Sequence, residues 1–147
     1  MAKGGKGEPR ALEALQAALD AELSGVALYT HLSFRVFGPQ WQAIVGHLRS
    51  QAEESLQHAL AAGDRMTMLG GVPRLDMGRE IEHSPSSLEE ILRISLVHER
   101  KAVDCYRAVM ETAAASGDIP LEDYARGMVA TETDHASELE RMLRPME

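Results

Sequence analysis

Two histidines in this chain closely follow a glutamate, in segments whose composition favours helix. Glu132 and His135 are three residues apart, so their side chains are neighbours on one helix face. His58 follows Glu54 in a similar way, at a distance of four residues. Carboxylate oxygens and imidazole nitrogens are ligands that suit iron, manganese or zinc better than copper(I). These residue types at this spacing indicate a metal centre built on helices.

Two single acids, Glu22 and Glu99, interrupt the apolar stripes of two other helical segments. An ionised carboxylate inside an apolar bundle is unfavourable unless a positive group meets it. One interpretation is that these acids face solvent and that the assigned helix phases are slightly wrong. We favour the interpretation that the acids face the interior of the bundle, because surface acids have no reason to interrupt apolar stripes repeatedly. Two Glu-x-x-His helices and two single-Glu helices form the four-carboxylate, two-imidazole site of dinuclear four-helix bundles.

Four long helices must position these residues. In each of them apolar side chains recur at steps of three and four residues, which is the period of an amphipathic helix. Gly38-Pro39 ends the first helix and Gly70-Gly71 ends the second. Ser86 and Glu89 match a capping box that opens the third. The predicted face of the second helix consists of Trp41, Ile44, Leu48, Ser55, His58, Ala62 and Leu69.

The connections between the helices set the topology. Ser116-Gly117 separates the third and fourth helices, and Asp118 is suited to cap the fourth. Residues 72–85 have no helical periodicity, and a link of this length can run from one end of a bundle to the other. The sequence therefore predicts an all-α four-helix bundle with one long crossover between helices two and three. The bundle would span residues 11–147, behind a flexible tail at residues 1–10 that contains several glycines and lysines.

Composition excludes several classes of protein. Only 4% of the 147 residues are aromatic, and the formal net charge of −8 does not suit binding to nucleic acid or anionic membranes. A single cysteine, Cys105, rules out an intrachain disulfide and suits a reducing compartment. No apolar run approaches the roughly 20 residues of a membrane span, and residues 1–10 lack the apolar segment of a secretion signal. We therefore expect a cytoplasmic protein.

Over residues 11–143 the chain resembles the ferritin-like superfamily, and bacterioferritin in particular. The motifs that carry the resemblance are Glu22-Leu23 with Tyr29, His58-Ala59, Leu69-x-Gly71-x-Pro73, Glu89-Glu90-x-Leu92-Arg93, Glu99 and Glu132-x-x-His135. The resemblance implies a dinuclear iron centre with a defined ligand set. Glu22 and His58 would bind one iron, Glu99 and His135 would bind the other, and Glu132 would bridge them. It also implies that the phenol of Tyr29 hydrogen-bonds the centre.

Three departures from that family are visible. Where the family has a second bridging glutamate, three residues before His58, this chain has Ser55. Glu54, about 100° round the helix, would replace it if the helix contained a π-bulge, and otherwise one bridge is missing. Leu56 stands where bacterioferritin has its haem methionine, so we expect no haem there. The chain ends at Glu147 without the short fifth helix of 24-subunit ferritins, which favours a twelve-subunit shell, with an open dimer as the alternative.

Several other polar residues are expected to support the metal centre or to have ordinary structural roles. His47 and Gln51 precede His58 on the second helix and would form an iron-uptake or outer ligand site, or else belong to an interface. His98 adjoins Glu99 in sequence and so is expected at the surface, and Cys105 is expected to pack in the interior. The basic tail, with Lys3, Lys6 and Arg10, is similar to the DNA-binding arms of some miniferritins. Its few charges against a net charge of −8 lead us to expect no DNA binding.

Together these features predict an iron-storing ferroxidase. Fe(II) would be oxidised by O₂ or peroxide at the dinuclear centre, and Fe(III) would be stored inside a homo-oligomeric shell. The surplus of acidic residues suits the uptake of cations. One alternative is a non-storage peroxidase of the dimanganese, iron-manganese or rubrerythrin-like kind, although the four-cysteine module of rubrerythrins is missing. The other is a DNA-protecting miniferritin whose metal site is weakened at Ser55.

Overall fold

Four helices form the secondary structure of residues 8–75 and 83–147, which are the residues that the computed structural model describes. The predicted all-α bundle is therefore confirmed. None of the helices in these two ranges is both long and apolar enough to cross a membrane. In chain order the helices are α1 (Glu8–Ser33), α2 (Trp41–Met68), α3 (Leu88–Ser116) and α4 (Ile119–Leu143).

The helix ends agree with the sequence signals to within a few residues. α1 begins at Glu8, inside the segment predicted as a tail, whose residues 1–7 lie outside the described ranges. It ends at Ser33, before Gly38-Pro39, because its last carbonyls already accept turn hydrogen bonds from the backbone N–H groups of residues 34 and 35. Gly117, with a left-handed φ of 72°, ends α3, and the side chain of Asp118 caps α4, both as predicted.

The cap of α3 lies one residue later than predicted. Ser87, not Ser86, is the N-cap, and its hydroxyl accepts a hydrogen bond from the backbone N–H of Glu90. The carboxylate of Glu90 reaches back and accepts from the backbone N–H and the hydroxyl of Ser86. Glu89, the predicted partner, instead pairs with Arg93 at 2.6 Å on the exposed face of the helix.

The described ends of the connection between α2 and α3, at Arg74 and His83, contact the two ends of α1. At one end the side-chain amide of Gln16 donates to the carbonyl of Arg74, and its oxygen accepts from the Arg74 backbone N–H, both at 2.9 Å. At the other end His31 Nε2 lies 2.8 Å from the carbonyl oxygen of His83. α1 packs against α2 and α3, and α3 packs against α4. This is the predicted topology, two antiparallel hairpins joined by one long connection.

The apolar core has two main parts, with a polar band between them. One part contains Leu15, Leu19, Ala62, Met66, Tyr106, Val109, Leu121 and Ala125, and the other contains Leu28, Tyr29, Leu32, Val45, Leu48, Ala52 and Ile91. On α1 the band falls at Glu22, and on α3 it includes Glu99. The predicted face of α2 is wrong at Trp41, which is 48% exposed, because Val45 supplies the core contact in that turn.

Candidate metal centre

Each of the four helices contributes to one polar cluster midway along the bundle. α1 supplies Glu22, α2 supplies His58, α3 supplies Glu99, and α4 supplies Glu132 and His135. The three glutamates are only 1%, 3% and 2% exposed. The structure thus brings together the five residues that the sequence placed on apolar stripes, and the interpretation that these acids face solvent is wrong.

The ligand atoms form two groups that share Glu132. In the first, His58 Nδ1 lies 2.9 Å from Glu132 Oε1 and 3.3 Å from Glu22 Oε1. In the second, His135 Nδ1 lies 3.1 Å from Glu132 Oε2 and 3.8 Å from Glu99 Oε2. Within each group the ligand atoms all lie within 4.8 Å of one another. Each group could therefore hold one cation, with Glu132 between the two.

The two imidazoles stand side by side. Their rings are 14° from parallel and their centroids are 6.4 Å apart. Both rings direct Nδ1 towards the buried carboxylates and Nε2 towards Glu54. A neutral imidazole uses one ring nitrogen as an acceptor or metal ligand and keeps its proton on the other. The ring edges that face inward are therefore the ones that can bind a metal.

Hydrogen bonds keep both imidazoles protonated in the metal-free protein. The carboxylates of Glu132 and Glu99 outweigh burial and raise the pKa of His135 to about 11. Burial lowers the pKa of His58, but Glu132 and Glu22 overcome this effect and raise it to about 10. Burial raises the pKa of Glu132 as well, yet hydrogen bonds from the two imidazoles hold it well below its usual range. Two imidazolium protons thus neutralise part of the acidic cluster.

The negative charges of Glu22 and Glu99 have few positive partners. Burial raises the pKa of Glu22 to about 7 and also raises that of Glu99. Within the described ranges, every ion pair of the three glutamates is made with His58 or His135. Buried carboxylates with so few positive partners fit a site for divalent cations, and their oxygens together with imidazole nitrogen suit iron, manganese or zinc.

Two tyrosines donate hydrogen bonds to the two carboxylates on either side of Glu132. The hydroxyl of Tyr29 donates to Glu99 Oε1, which agrees with the role expected for it. The hydroxyl of Tyr106 donates to Glu22 Oε1 at 2.8 Å. Burial and the nearby carboxylates raise the pKa of both phenols, so both remain proton donors. Tyr106 was missed as a site residue, although a tyrosine seven residues after Glu99 on the same apolar stripe was the signal that could have found it.

At Ser55, where α2 departs from the Glu-x-x-His pattern, the helix differs from what was expected. α2 is α-helical from Trp41 to Met68 and contains no π-bulge, so the condition for turning Glu54 inward is not met. Ser55 is buried, so a short hydroxyl side chain lies at the inward position where the family resemblance implies a bridging acid. Glu54 reaches the centre from outside, with Oε1 3.2 Å from His135 Nε2 and 3.6 Å from His58 Nε2. It belongs to neither group of inward-facing ligand atoms.

His98 is buried, and its predicted surface position is wrong. Its ring meets the ring of Tyr29 edge-on, with centroids 5.6 Å apart. A Cβ built on Gly25 would lie 2.6 Å from His98 Nε2 and 2.9 Å from Ser55 Oγ, so all three residues share one small space between α1, α2 and α3. Burial lowers the pKa of His98 to about 4, so its imidazole is neutral. The absence of a long side chain at positions 25 and 55 makes room for this ring.

The other candidates lie further from the cluster. His47 and Gln51, about three and two turns before His58 on α2, are partly exposed and take no part in the recorded hydrogen bonds of the described residues. Cys105 is partly buried against the core, as expected. The hydroxyl of Tyr124 is buried with no hydrogen-bond partner among the described residues, beside the Tyr106 ring and under the Arg65 guanidinium.

Comparison with known proteins extends this picture. A family model described as the ferritin-like domain matches residues 12–147. A bacterioferritin of Streptomyces coelicolor is 25% identical over 138 residues, which cover 94% of this chain and 82% of that one. A ferritin-like diiron-carboxylate protein of Bacillus anthracis superposes with a TM-score of 0.87 at 26% identity and covers 95% of this chain and 99% of its own. A dodecameric thioferritin of Bacteroides fragilis superposes with a TM-score of 0.80 at 26% identity, over 92% of this chain and 85% of its own.

Proposed function

Because this chain belongs to the ferritin-like domain family, we propose that it is an iron storage protein that oxidises Fe(II) at a dinuclear ferroxidase centre. The observation that carries the proposal is that Glu132 belongs to both groups of potential ligand atoms and lies between them. Glu22 and His58 would hold one Fe(II), and Glu99 and His135 the other. Glu132 would bridge them with one oxygen towards each.

In the metal-free protein, protons on the two imidazoles supply part of the positive charge that iron would bring. His58 and His135 each hold a proton on Nδ1 against Glu132, and each would release it when Fe(II) binds. Two Fe(II) then lose one electron each, and O₂ or peroxide takes up these two electrons with protons from water or from the displaced imidazole protons. Tyr29 and Tyr106 keep Glu99 and Glu22 in place by donating one hydrogen bond to each.

Storage of Fe(III) requires an enclosed volume, which a shell of several subunits would provide. We propose a homo-oligomeric shell of twelve subunits, in which Fe(III) collects as a mineral. The similarity to the dodecameric thioferritin supports this number. The formal net charge of −8 on each subunit would favour Fe²⁺ uptake by electrostatic attraction.

A test is to add Fe(II) to the metal-free protein under air, and separately with peroxide under argon. We expect oxidation faster than in buffer, with two Fe(II) consumed per subunit in a first phase and iron retained through gel filtration in a second. An oxidation rate equal to that of buffer, with no iron retained, would exclude the proposal. The relative rates with the two oxidants would identify the one used.

A second candidate is a peroxidase that does not store metal, and the serine at position 55 favours it. Three carboxylates around two metal ions compensate a rise from the divalent to the trivalent state less well than four would. Such a centre would suit manganese, with peroxide taking up two electrons from an external reductant and two protons to give water. The metal content of protein purified without added metal, together with peroxide turnover in the absence of iron retention, would support this function.

A further inference from the structure

We propose that Glu54 is a positioning residue that holds the outer nitrogens of both His58 and His135, so that their inner nitrogens face the metal ions. This inference rests on the proposed function, since it assigns a role within the same centre. It replaces the expectation that Glu54 turns inward as a bridging ligand.

The geometry places one carboxylate between two imidazoles. Glu54 Oε1 lies 3.2 Å from His135 Nε2, which is hydrogen-bond reach, and 3.6 Å from His58 Nε2. The two rings are close to parallel, so both Nε2 atoms face the same side of the cluster. A small rotation of the Glu54 side chain would bring Oε1 within hydrogen-bond distance of His58 Nε2 as well.

The chemistry of the imidazole explains why such a carboxylate matters. A histidine that binds a metal through Nδ1 must keep its proton on Nε2. A carboxylate that accepts this proton in a hydrogen bond selects the tautomer, fixes the ring and makes the inner nitrogen a better ligand. In most metal sites each histidine has its own partner of this kind. Here one glutamate would serve two ligands on different helices.

The position of Glu54 on α2 suits this role better than ligation. Its side chain is 38% exposed, so the carboxylate stays hydrated, whereas the carboxylates of Glu22, Glu99 and Glu132 are buried. It approaches His58 and His135 from the edge opposite to their contacts with Glu132. Because α2 has no π-bulge, the residue that points to the inner side is Ser55.

Co(II) is a suitable probe, since it binds carboxylate and imidazole ligands and its visible spectrum reports their geometry. The metal-free full-length protein would be titrated with Co(II), with affinity measured by calorimetry and geometry by the d–d absorption bands. The test variant is Glu54→Ala and the matched control is Glu53→Ala, which removes the same charge from the neighbouring, exposed position on α2. Glu54→Gln keeps an acceptor oxygen but removes the charge.

We expect two Co(II) per subunit in the wild type and in Glu53→Ala, with the same spectrum. In Glu54→Ala the stoichiometry should remain two, the affinity should fall by about 10- to 100-fold, and the d–d bands should shift. Glu54→Gln should lie between. The exchangeable Nε2–H protons of the two Co(II)-bound histidines should appear as shifted NMR signals in the wild type, and should broaden through faster exchange with water in Glu54→Ala.

Three outcomes would overturn the inference, and they are distinguishable. If Glu54→Ala bound Co(II) with wild-type affinity, spectrum and Nε2–H signals, Glu54 would have no positioning role. If the stoichiometry of this variant fell to one, Glu54 would be a ligand instead. If the wild type itself bound no pair of Co(II) ions, the proposed function would fail together with this inference.

Discussion

Glu132 is the residue on which the two halves of the centre depend. Each of its oxygens faces a different imidazole, at 2.9 Å and 3.1 Å. Its removal would leave Glu22 and Glu99 with no common partner. The other four ligand residues would then form two separate sites, each with one carboxylate and one imidazole.

Glu132→Ala is expected to lower the initial rate of Fe(II) oxidation by about 100-fold, because neither iron keeps its full ligand set. The measurement is the appearance of Fe(III) absorbance after addition of two Fe(II) per subunit. Glu138→Ala, at an exposed position on the same helix, is the matched control and should oxidise Fe(II) like the wild type. A Glu132→Ala rate within twofold of the control would show that Glu132 is not the bridge.

Gly25→Ala is expected to destabilise the fold by about 1–3 kcal/mol, because the new methyl group would lie 2.6 Å from His98 Nε2 and 2.9 Å from Ser55 Oγ. The measurement is chemical denaturation of the metal-free protein. Gly46→Ala is the control, since a Cβ at this exposed helical position would contact none of the described residues within 4 Å. This variant should stabilise the fold by about 0.5–1 kcal/mol. Equal effects of the two variants would contradict the close packing of His98.

The metal-free protein is expected to lose stability as the pH rises from about 5 to 9. The folded pKa of Glu22, about 7, lies above its ordinary value of 4.5, so its contribution is present at low pH and is lost as the pH rises through 7. The pKa values of His58 and His135 are also raised, from 6.5 to about 10 and 11, so their contribution begins to fall above 6.5.

Melting temperatures between pH 5 and 9 would test this dependence. Zn(II) replaces the bound protons, so the loaded protein should show a smaller decrease or none. Glu22→Gln should flatten the curve of the metal-free protein below pH 7. A melting temperature of the metal-free protein that rises over this interval would contradict the assigned pKa directions.

At the scale of residues, the sequence predicted which acids and imidazoles meet in the cluster but not the residues around them. The acids were visible because a charge on an apolar stripe breaks a period that can be read along the chain. His98 was misplaced because its burial depends on two missing side chains, at Gly25 and Ser55, on two other helices. The contact of Glu54 with both rings likewise depends on how α2 and α4 pack, which no spacing within one helix reveals.

At the scale of the helices, local capping decides where α3 begins. Ser87→Ala is expected to cost about 1 kcal/mol of stability, because the backbone N–H of Glu90 would lose its acceptor. Thermal denaturation measures the effect, and Ser84→Ala, exposed and before the helix, is the control. An equal loss in both variants would mean that the hydroxyl of Ser87 does not cap the helix.

The existence and order of the helices were predictable, whereas their ends were less so. Periodicity over 25 or more residues identifies each helix, and the long link between α2 and α3 indicates the crossover. Ser86-Ser87 and Glu89-Glu90 offer two registers for the same capping box, and their spacing alone does not distinguish the two. Glu89 forms an ion pair with Arg93, and the backbone N–H of Glu90 donates to the capping hydroxyl of Ser87.

At the scale of the whole molecule, exposed apolar side chains mark a surface that a shell would cover. Leu56 and Leu60, one turn apart on α2, are 43% and 55% exposed. In the proposed dodecamer, twelve subunits of 16.1 kDa would give a mass of about 190 kDa.

Leu60→Glu is expected to shift this mass to a small species, because a charge in an apolar interface is costly. Light scattering measures the mass and circular dichroism checks that the helices persist. Asp64→Glu, one turn further at an exposed position, is the control and should keep the wild-type mass. A wild-type mass of one or two subunits would contradict the proposed shell.

The layout of two hairpins, joined by a single connection, divides the ligands unequally. The α1–α2 hairpin carries one carboxylate and one imidazole of the centre, and the α3–α4 hairpin carries two carboxylates and one imidazole. A chain cleaved between Leu75 and His83 should therefore behave as two complementary fragments. Divalent cations would promote their reassociation, since coordination is completed only when both halves meet.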